Sequence, residues 1–215
     1  MTVIPDNAQR PATQETRNRI FAAAENEFAA HGFSGATMRQ IAAAANVNKF
    51  MLYYHFTSKE ALYLRVLEST FQPIFRQLAK IVFRRDALDK TIGDIFDMFA
   101  TLFAISDGHL RPFLAQEIAI GAPYLGPMFA AIVPDMRTQW RLKIQSYMGT
   151  GRLSERRLEQ FVYSILTSLI APFLMQPVLD SVIASGGQGP VSREHREHAV
   201  DYILGGLRLN VLAGD

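Results

Sequence analysis

The chain has 215 residues, 49% of them hydrophobic, with 22 basic against 20 acidic side chains and a formal charge of +2. That is enough for a sizeable core in one or two domains. No cysteine is present, which excludes disulfides and thiol chemistry and permits a reducing compartment. The isoelectric point of 9.0 fits a nucleic-acid partner without requiring one. Residues 1–12 have no apolar core region and meet Pro5 and Asp6 early, so a disordered arm is expected rather than a signal peptide. A first helix is predicted from about Thr13 to His31, with Ile20, Ala24 and Phe28 as its inward line and Gly32 as its stop.

The stretch Thr37 to Leu62, TMRQIAAAANVNKFMLYYHFTSKEAL, is the most informative part. Thr37 with Gln40 makes a capping box and opens a helix over Met38 to about Ala45. Asn46 stands at the turn, where Asn tolerates a left-handed backbone, and Val47 points inward. Asn48 caps a short helix, Lys49 to His55, with Leu52 and Phe56 as the inward pair. Thr57 with Glu60 forms another capping box. This spacing is that of a helix-turn-helix whose second helix reads DNA. The reader's outward residues are Lys49, Phe50, Met51, Tyr53, Tyr54 and His55, types that suit phosphates and base edges. Between Thr37 and Arg65 four basic residues (Arg39, Lys49, Lys59, Arg65) face one acid, Glu60, so the basic excess is local.

A fourth helix is predicted from near Ser58 to about Ile81, with a bend at Pro73, which removes a bond to the carbonyl of Ser69. Arg84-Arg85-Asp86 is a connector. A fifth helix spans about Leu88 to Ile105, with Ile92, Ile95, Phe96, Phe99 and Phe103 on a broad apolar face. A sixth spans about Leu110 to Ile120. Gly121, Pro123, Gly126 and Pro127 then punctuate the chain, and a seventh helix is expected from about Pro134 to Met148. An eighth spans about Ser154 to Met175, and a ninth about Ser192 to Leu212 after the flexible Gly186–Pro190 loop. Helices eight and nine form the expected dimer pair, with Phe161, Ile165, Ser168, Leu169, Tyr202 and Gly206 at the interface. Each glycine inside helix nine costs about 1 kcal/mol against Ala, and close helix approach explains that cost. The alternative is an intramolecular packing groove with no dimer.

Catalytic and metal chemistry is not expected. His195 and His198 share a helix face, but too few further ligands are placed for zinc. The glycine runs at 149–151 and 186–189 lack the lysine and strand of a phosphate loop. Asp94 and Asp97 have no identifiable partner acid, and no nucleophile elbow occurs. No enzyme activity, cofactor or metal is therefore assigned. The apolar stretch Tyr163 to Met175 is shorter than the ~20 residues of a membrane span, and a cytoplasmic protein is expected.

The patterns Thr37–Ala42, Ala45–Val47 and Leu52–Leu62, with the upstream helix Arg17 to Thr37, resemble the tetracycline-repressor (TetR) family of bacterial regulators. The resemblance covers roughly the first 65 residues. It implies that Thr37, Tyr54 and Lys59 contact backbone phosphates, and that Arg39, Lys49, Tyr53 and His55 face the groove. Phe50 and Met51 depart from the family pattern, which has a small residue or proline and then a Ser or Thr. Either they pack on thymine methyls, or Phe50 packs on its own domain. The resemblance further implies that the second region encloses a ligand. Phe96, Phe99, Phe103, Phe113, Glu117, Trp140 and Phe161 are the lining candidates, with Gln116 and Asp97 as further polar groups, against a reading as plain core.

The expected architecture is all-α, about nine helices. It comprises an arm (1–12), a three-helix DNA-binding domain (13–57) and a ligand-binding and dimerisation domain (58–215). The expected function is that of a homodimeric repressor, released from pseudo-palindromic operator DNA by a small apolar or amphipathic effector. The alternative is a helix-turn-helix protein controlled by a partner protein.

Overall fold

The computed structural model describes residues 9–80, 88–105, 108–131, 138, 142, 154–182 and 193–212. In chain order its helices are α1 (Gln9–Gly35), α2 (Met38–Ala44), α3 (Lys49–His55), α4 (Lys59–Lys80), α5 (Leu88–Ile105), α6 (Leu110–Ala119), a helical run at residues 125–131 (α7), α8 (Glu155–Val182) and α9 (Arg193–Leu212). No strand occurs among the described residues, and no helix there is long and apolar enough to cross a membrane. The fold is all-α. The connectors around Arg85 and Gly187, and nearly all of the seventh predicted helix, lie outside the described residues.

Two compact units are present. The first comprises Met1–Phe71 and Pro112–Leu125, and the second Gln72–Arg111 and Gly126–Asp215. The sequence division at residue 57 differs in two ways. The first unit takes in the opening turns of α4, and it recruits most of α6 from far along the chain. The reason is a shared core. Leu62, Tyr63 and Val66 of α4 and Phe113 of α6 are each fully buried, as are Ile20 and Phe28 of α1.

In the first unit α1 packs on α2, and α2 on α3. The α1 backbone breaks at Gly32, whose φ of 69° lies in the left-handed region that glycine adopts without a Cβ penalty. Helix α1 begins at Gln9, four residues before the predicted start. The α2–α3 turn follows the expected chemistry. Asn46 has φ 52°, the Val47 N–H donates to the Ala42 carbonyl at 2.9 Å, and the Asn46 N–H donates to Ala43 at 3.0 Å. These two bonds and the left-handed residue make a Schellman motif. The cap of α4 differs from expectation. Ser58 Oγ accepts the Ala61 N–H at 3.0 Å, so Ser58 rather than Thr57 opens the helix.

In the second unit α5 packs against α8 and α9, which also pack on each other. The Phe173 ring sits 5.3 Å from Phe96 and stacks at 5.3 Å on Phe103. Gly93 leaves room for Arg196, because a Cβ there would lie 2.2 Å from the guanidinium, which pairs with Asp97 at 2.8 Å. Helix α8 runs to Val182, past its predicted end at Met175, with Pro172 and Pro177 inside it. Pro177 cannot donate to the Phe173 carbonyl. Arg111 takes that place. Its Nε donates to the Phe173 carbonyl at 2.9 Å, its Nη2 donates to Gln176 Oε1 at 2.9 Å, and the guanidinium stands 5.9 Å from the Phe103 centroid.

Candidate nucleic-acid interface

Helix α3 is only seven residues long, too short to persist without external support. Three features hold it. Leu52 is fully buried, Phe56 closes its end in the core, and Asn48 Oδ1 accepts the Met51 N–H at 2.8 Å. With one face anchored, the other projects outward. Phe50 is 88% exposed and Tyr54 77%, and Lys49, Met51 and Tyr53 are exposed too. The Lys49 ammonium lies 5.7 Å above the Tyr53 ring, and Tyr54 meets His55 edge-on at 5.3 Å. Arg39 is exposed on the neighbouring α2. Among the described residues no ring or cation packs on Phe50, so packing on its own domain is not what occupies that side chain.

The remaining sequence-selected groups are partly engaged. Thr37 Oγ1 accepts the Gln40 N–H at 3.2 Å, the N-cap half of a capping box, and donates to Gln40 Oε1. Its proton is therefore committed locally. His55 is half-buried and its Nε2 is enclosed without a hydrogen bond. Burial, and then the Arg17 charge, lower its pKa, so it is neutral near pH 7 and acts as a shaped ring rather than a cation. The Lys59 ammonium lies 4.7 Å over the Phe33 ring and donates to the Ser34 carbonyl at 3.4 Å, which fixes it beside the entry to α2.

Behind this face lies a polar centre that periodicity did not reveal. Glu117 is fully buried. Its Oε1 accepts the Tyr63 hydroxyl at 2.8 Å, and its Oε2 accepts the N–H groups of Tyr124 and Leu125 at 3.1 and 3.0 Å. Burial, and then the hydrogen bond to Glu117, push the Tyr63 hydroxyl far above its usual range, so it stays a donor. The chain reaches this geometry through two successive left-handed residues, Gly121 (φ 85°) and Ala122 (φ 54°). The Ala122 N–H closes the turn onto the Glu117 carbonyl at 2.6 Å. Phe33 packs 5.1 Å from Tyr63 and 5.0 Å from Tyr124, linking this centre to Lys59. Gln116 adds a bond to the Ala29 carbonyl of α1 at 2.8 Å.

The ligand-lining candidates therefore divide. Glu117 and Phe113 stand in the unit that carries the helix-turn-helix, with every Glu117 oxygen satisfied there. Phe96, Phe99 and Phe103 stand in the second unit. Trp140 and the side chains of Phe161, Ile165 and Leu169 lie outside the described residues. Ser168 is half-buried, Tyr202 is 69% exposed, and a Cβ on Gly206 would meet nothing within 4 Å.

The profile of bacterial regulatory proteins, tetR family, matches residues 20–66. The regulator RutR of Escherichia coli O157:H7 is 45% identical over 159 residues, 73% of each chain. This chain belongs to the TetR family. Among TetR-family relatives, the repressor NicS of Pseudomonas putida is 39% identical over 66 residues and the repressor SCO4008 of Streptomyces coelicolor 46% over 55. The chain spans only 31% and 29% of those two proteins, a length that holds little beyond the helix-turn-helix. Among solved structures, the regulator SCO4942 of Streptomyces coelicolor superposes with a TM-score of 0.63 at 25% identity, covering 89% of this chain and 97% of that one. A fatty acid metabolism regulator of Clostridium perfringens has a TM-score of 0.57 at 21% identity over 92% and 98%, which speaks for the TetR-family fold alone.

Proposed function

We propose that the protein is a transcriptional repressor that binds operator DNA as a homodimer. The observation that carries this is the capped seven-residue α3, whose exposed face is cationic and aromatic while its buried face is anchored in the first unit. Arg39, Lys49 and Tyr53 face the major groove, and Lys59 meets a phosphate beside the α2 entry. Two of the relatives are named as repressors.

Dimerisation is assigned to the exposed sides of α8 and α9. Tyr163, Thr167, Ala171, Met175 and Val178 recur at helical spacing on α8, with Tyr163 71% exposed. Tyr202 and the open glycines 205 and 206 lie on α9. Selecting duplexes from a random pool with purified protein should enrich a pseudo-palindrome with half-sites one helical turn apart, about 34–36 Å, or a multiple of it. Ala171→Arg, at an exposed position that the monomer fold tolerates, should give monomers in sedimentation and weak DNA binding. A dimeric Ala171→Arg protein would place the interface elsewhere.

The finer reading is release by a small apolar or amphipathic effector held in the second unit. The support is the aromatic group Phe96, Phe99 and Phe103 and the anchoring of α6. One end of α6 is bonded to α8 through Arg111, and the other to α4 and α1 through Glu117 and Gln116. A ligand that alters the first anchorage would reach the second through one helix. Phe99→Ala should change effector affinity and leave DNA binding by the free protein nearly intact.

A further inference from the structure

We propose that Phe50 reads thymine: it seats the C5-methyl group of a thymine in the major groove, making the operator's half-site T-dependent at the base facing the second residue of α3. This rests on the DNA-binding reading above and deepens it by naming the base chemistry. Three observations carry it. Phe50 is the most exposed large apolar side chain of the helix-turn-helix, at 88%. It has no ring or cation against it among the described residues, whereas Lys49 lies over Tyr53 and Tyr54 meets His55. Its backbone is held on both sides, by the Schellman turn at Asn46 and by the Asn48 cap on Met51.

The chemistry selects the ligand. A phenyl ring offers neither donor nor acceptor, so it cannot read the polar edges of guanine, adenine or cytosine, and it cannot hold a phosphate. The thymine methyl is the one apolar group on the major-groove edge of the four bases. Burying one methyl against an apolar surface is worth about fourfold in affinity, the equivalent of roughly 0.8 kcal/mol. Two half-sites together give about fifteenfold. Met51, next along the helix and also exposed, extends the same apolar surface.

The test uses the full-length chain and the duplex enriched from a random pool. Each thymine is replaced singly by deoxyuridine, which keeps the base pair and removes only the methyl. With the wild-type protein, one or two positions per half-site should lose about fourfold in affinity. With Phe50→Ala, which exchanges an exposed side chain and should leave the circular dichroism unchanged, those positions should become insensitive to deoxyuridine. The salt dependence of Phe50→Ala should equal that of wild type, because no phosphate contact is lost. Lys59→Ala should flatten the salt dependence and keep the deoxyuridine sensitivity. A flat deoxyuridine scan with the wild-type protein overturns the inference while DNA binding stands. So does a scan whose sensitive positions persist in Phe50→Ala. Failure of the pool to enrich any duplex overturns the DNA-binding reading itself, and this inference with it.

Discussion

Glu117 carries a carboxyl group with no exposure to water, and three donors converge on it. Removing the acceptor strands the Tyr63 hydroxyl and two backbone N–H groups in the core. Glu117→Ala should therefore cost at least about 2 kcal/mol, and Tyr63→Phe, which strands only Glu117 Oε1, less, about 1 kcal/mol. Calorimetry of the two variants checks the order: equal melting temperatures would mean that the carboxylate is not the hub of this region. The sequence singled out the residue as a polar candidate for a ligand lining, and its partners were not legible. Tyr63 lies 54 residues away, and helical periodicity carries no information at that distance. Phe50 shows the opposite case. Its departure from the family pattern was legible, and its 88% exposure then set aside packing on its own domain.

At the scale of elements, α2 and α3 match their sequence-derived bounds to within a residue, because their caps are local chemistry. Thr37, Asn46 and Asn48 each act within five residues of themselves. Where a helix is ruled by a distant partner, the bounds were not legible. Helix α8 outruns its predicted end because Arg111 substitutes for a donor that Pro177 lacks. Helix α3 is only seven residues long and carries most of the proposed reading residues, so it depends on its cap. Asn48→Ala should cost about 1 kcal/mol in stability. It should also weaken DNA binding at every sequence, since fraying disorders all the reading residues together. Amide exchange localises the effect: faster exchange confined to α3 is expected, and unchanged exchange at Met51 would show that the cap bears no load.

For the whole molecule, each unit contains a histidine that folding makes harder to protonate. Burial, then Arg17, lowers His55; burial, then His198, lowers His195. The unfolded chain protonates near the usual 6.5, so between that value and the lower folded values it binds more protons than the native protein. The stability conferred by a neutral histidine is thus intact above 6.5 and is lost as pH falls through the folded values. Melting temperature should decline between about pH 7 and pH 5. His195→Gln and His55→Gln should each remove part of that slope. A slope unchanged in the double variant would assign it to other groups. The division into units was only partly legible. The first 65 residues declare one module by motif, but the return of residues 112–125 to it rests on a buried carboxylate and a pair of left-handed residues.

The bond from Arg111 to the Phe173 carbonyl makes two distant positions interdependent in any history of substitution. While Pro177 is present, loss of Arg111 leaves a helix carbonyl without a donor, and Arg111→Met should destabilise by about 1–2 kcal/mol. Once Pro177→Ala restores an N–H to the ladder, the same Arg111→Met change should cost markedly less. A double-mutant cycle followed by thermal melting reads this directly, and strict additivity would refute it. The order of the two steps then matters. A lineage that replaces the proline first is free to drift at Arg111, and one that begins with the arginine meets a stability barrier, so the pair should be gained or lost together.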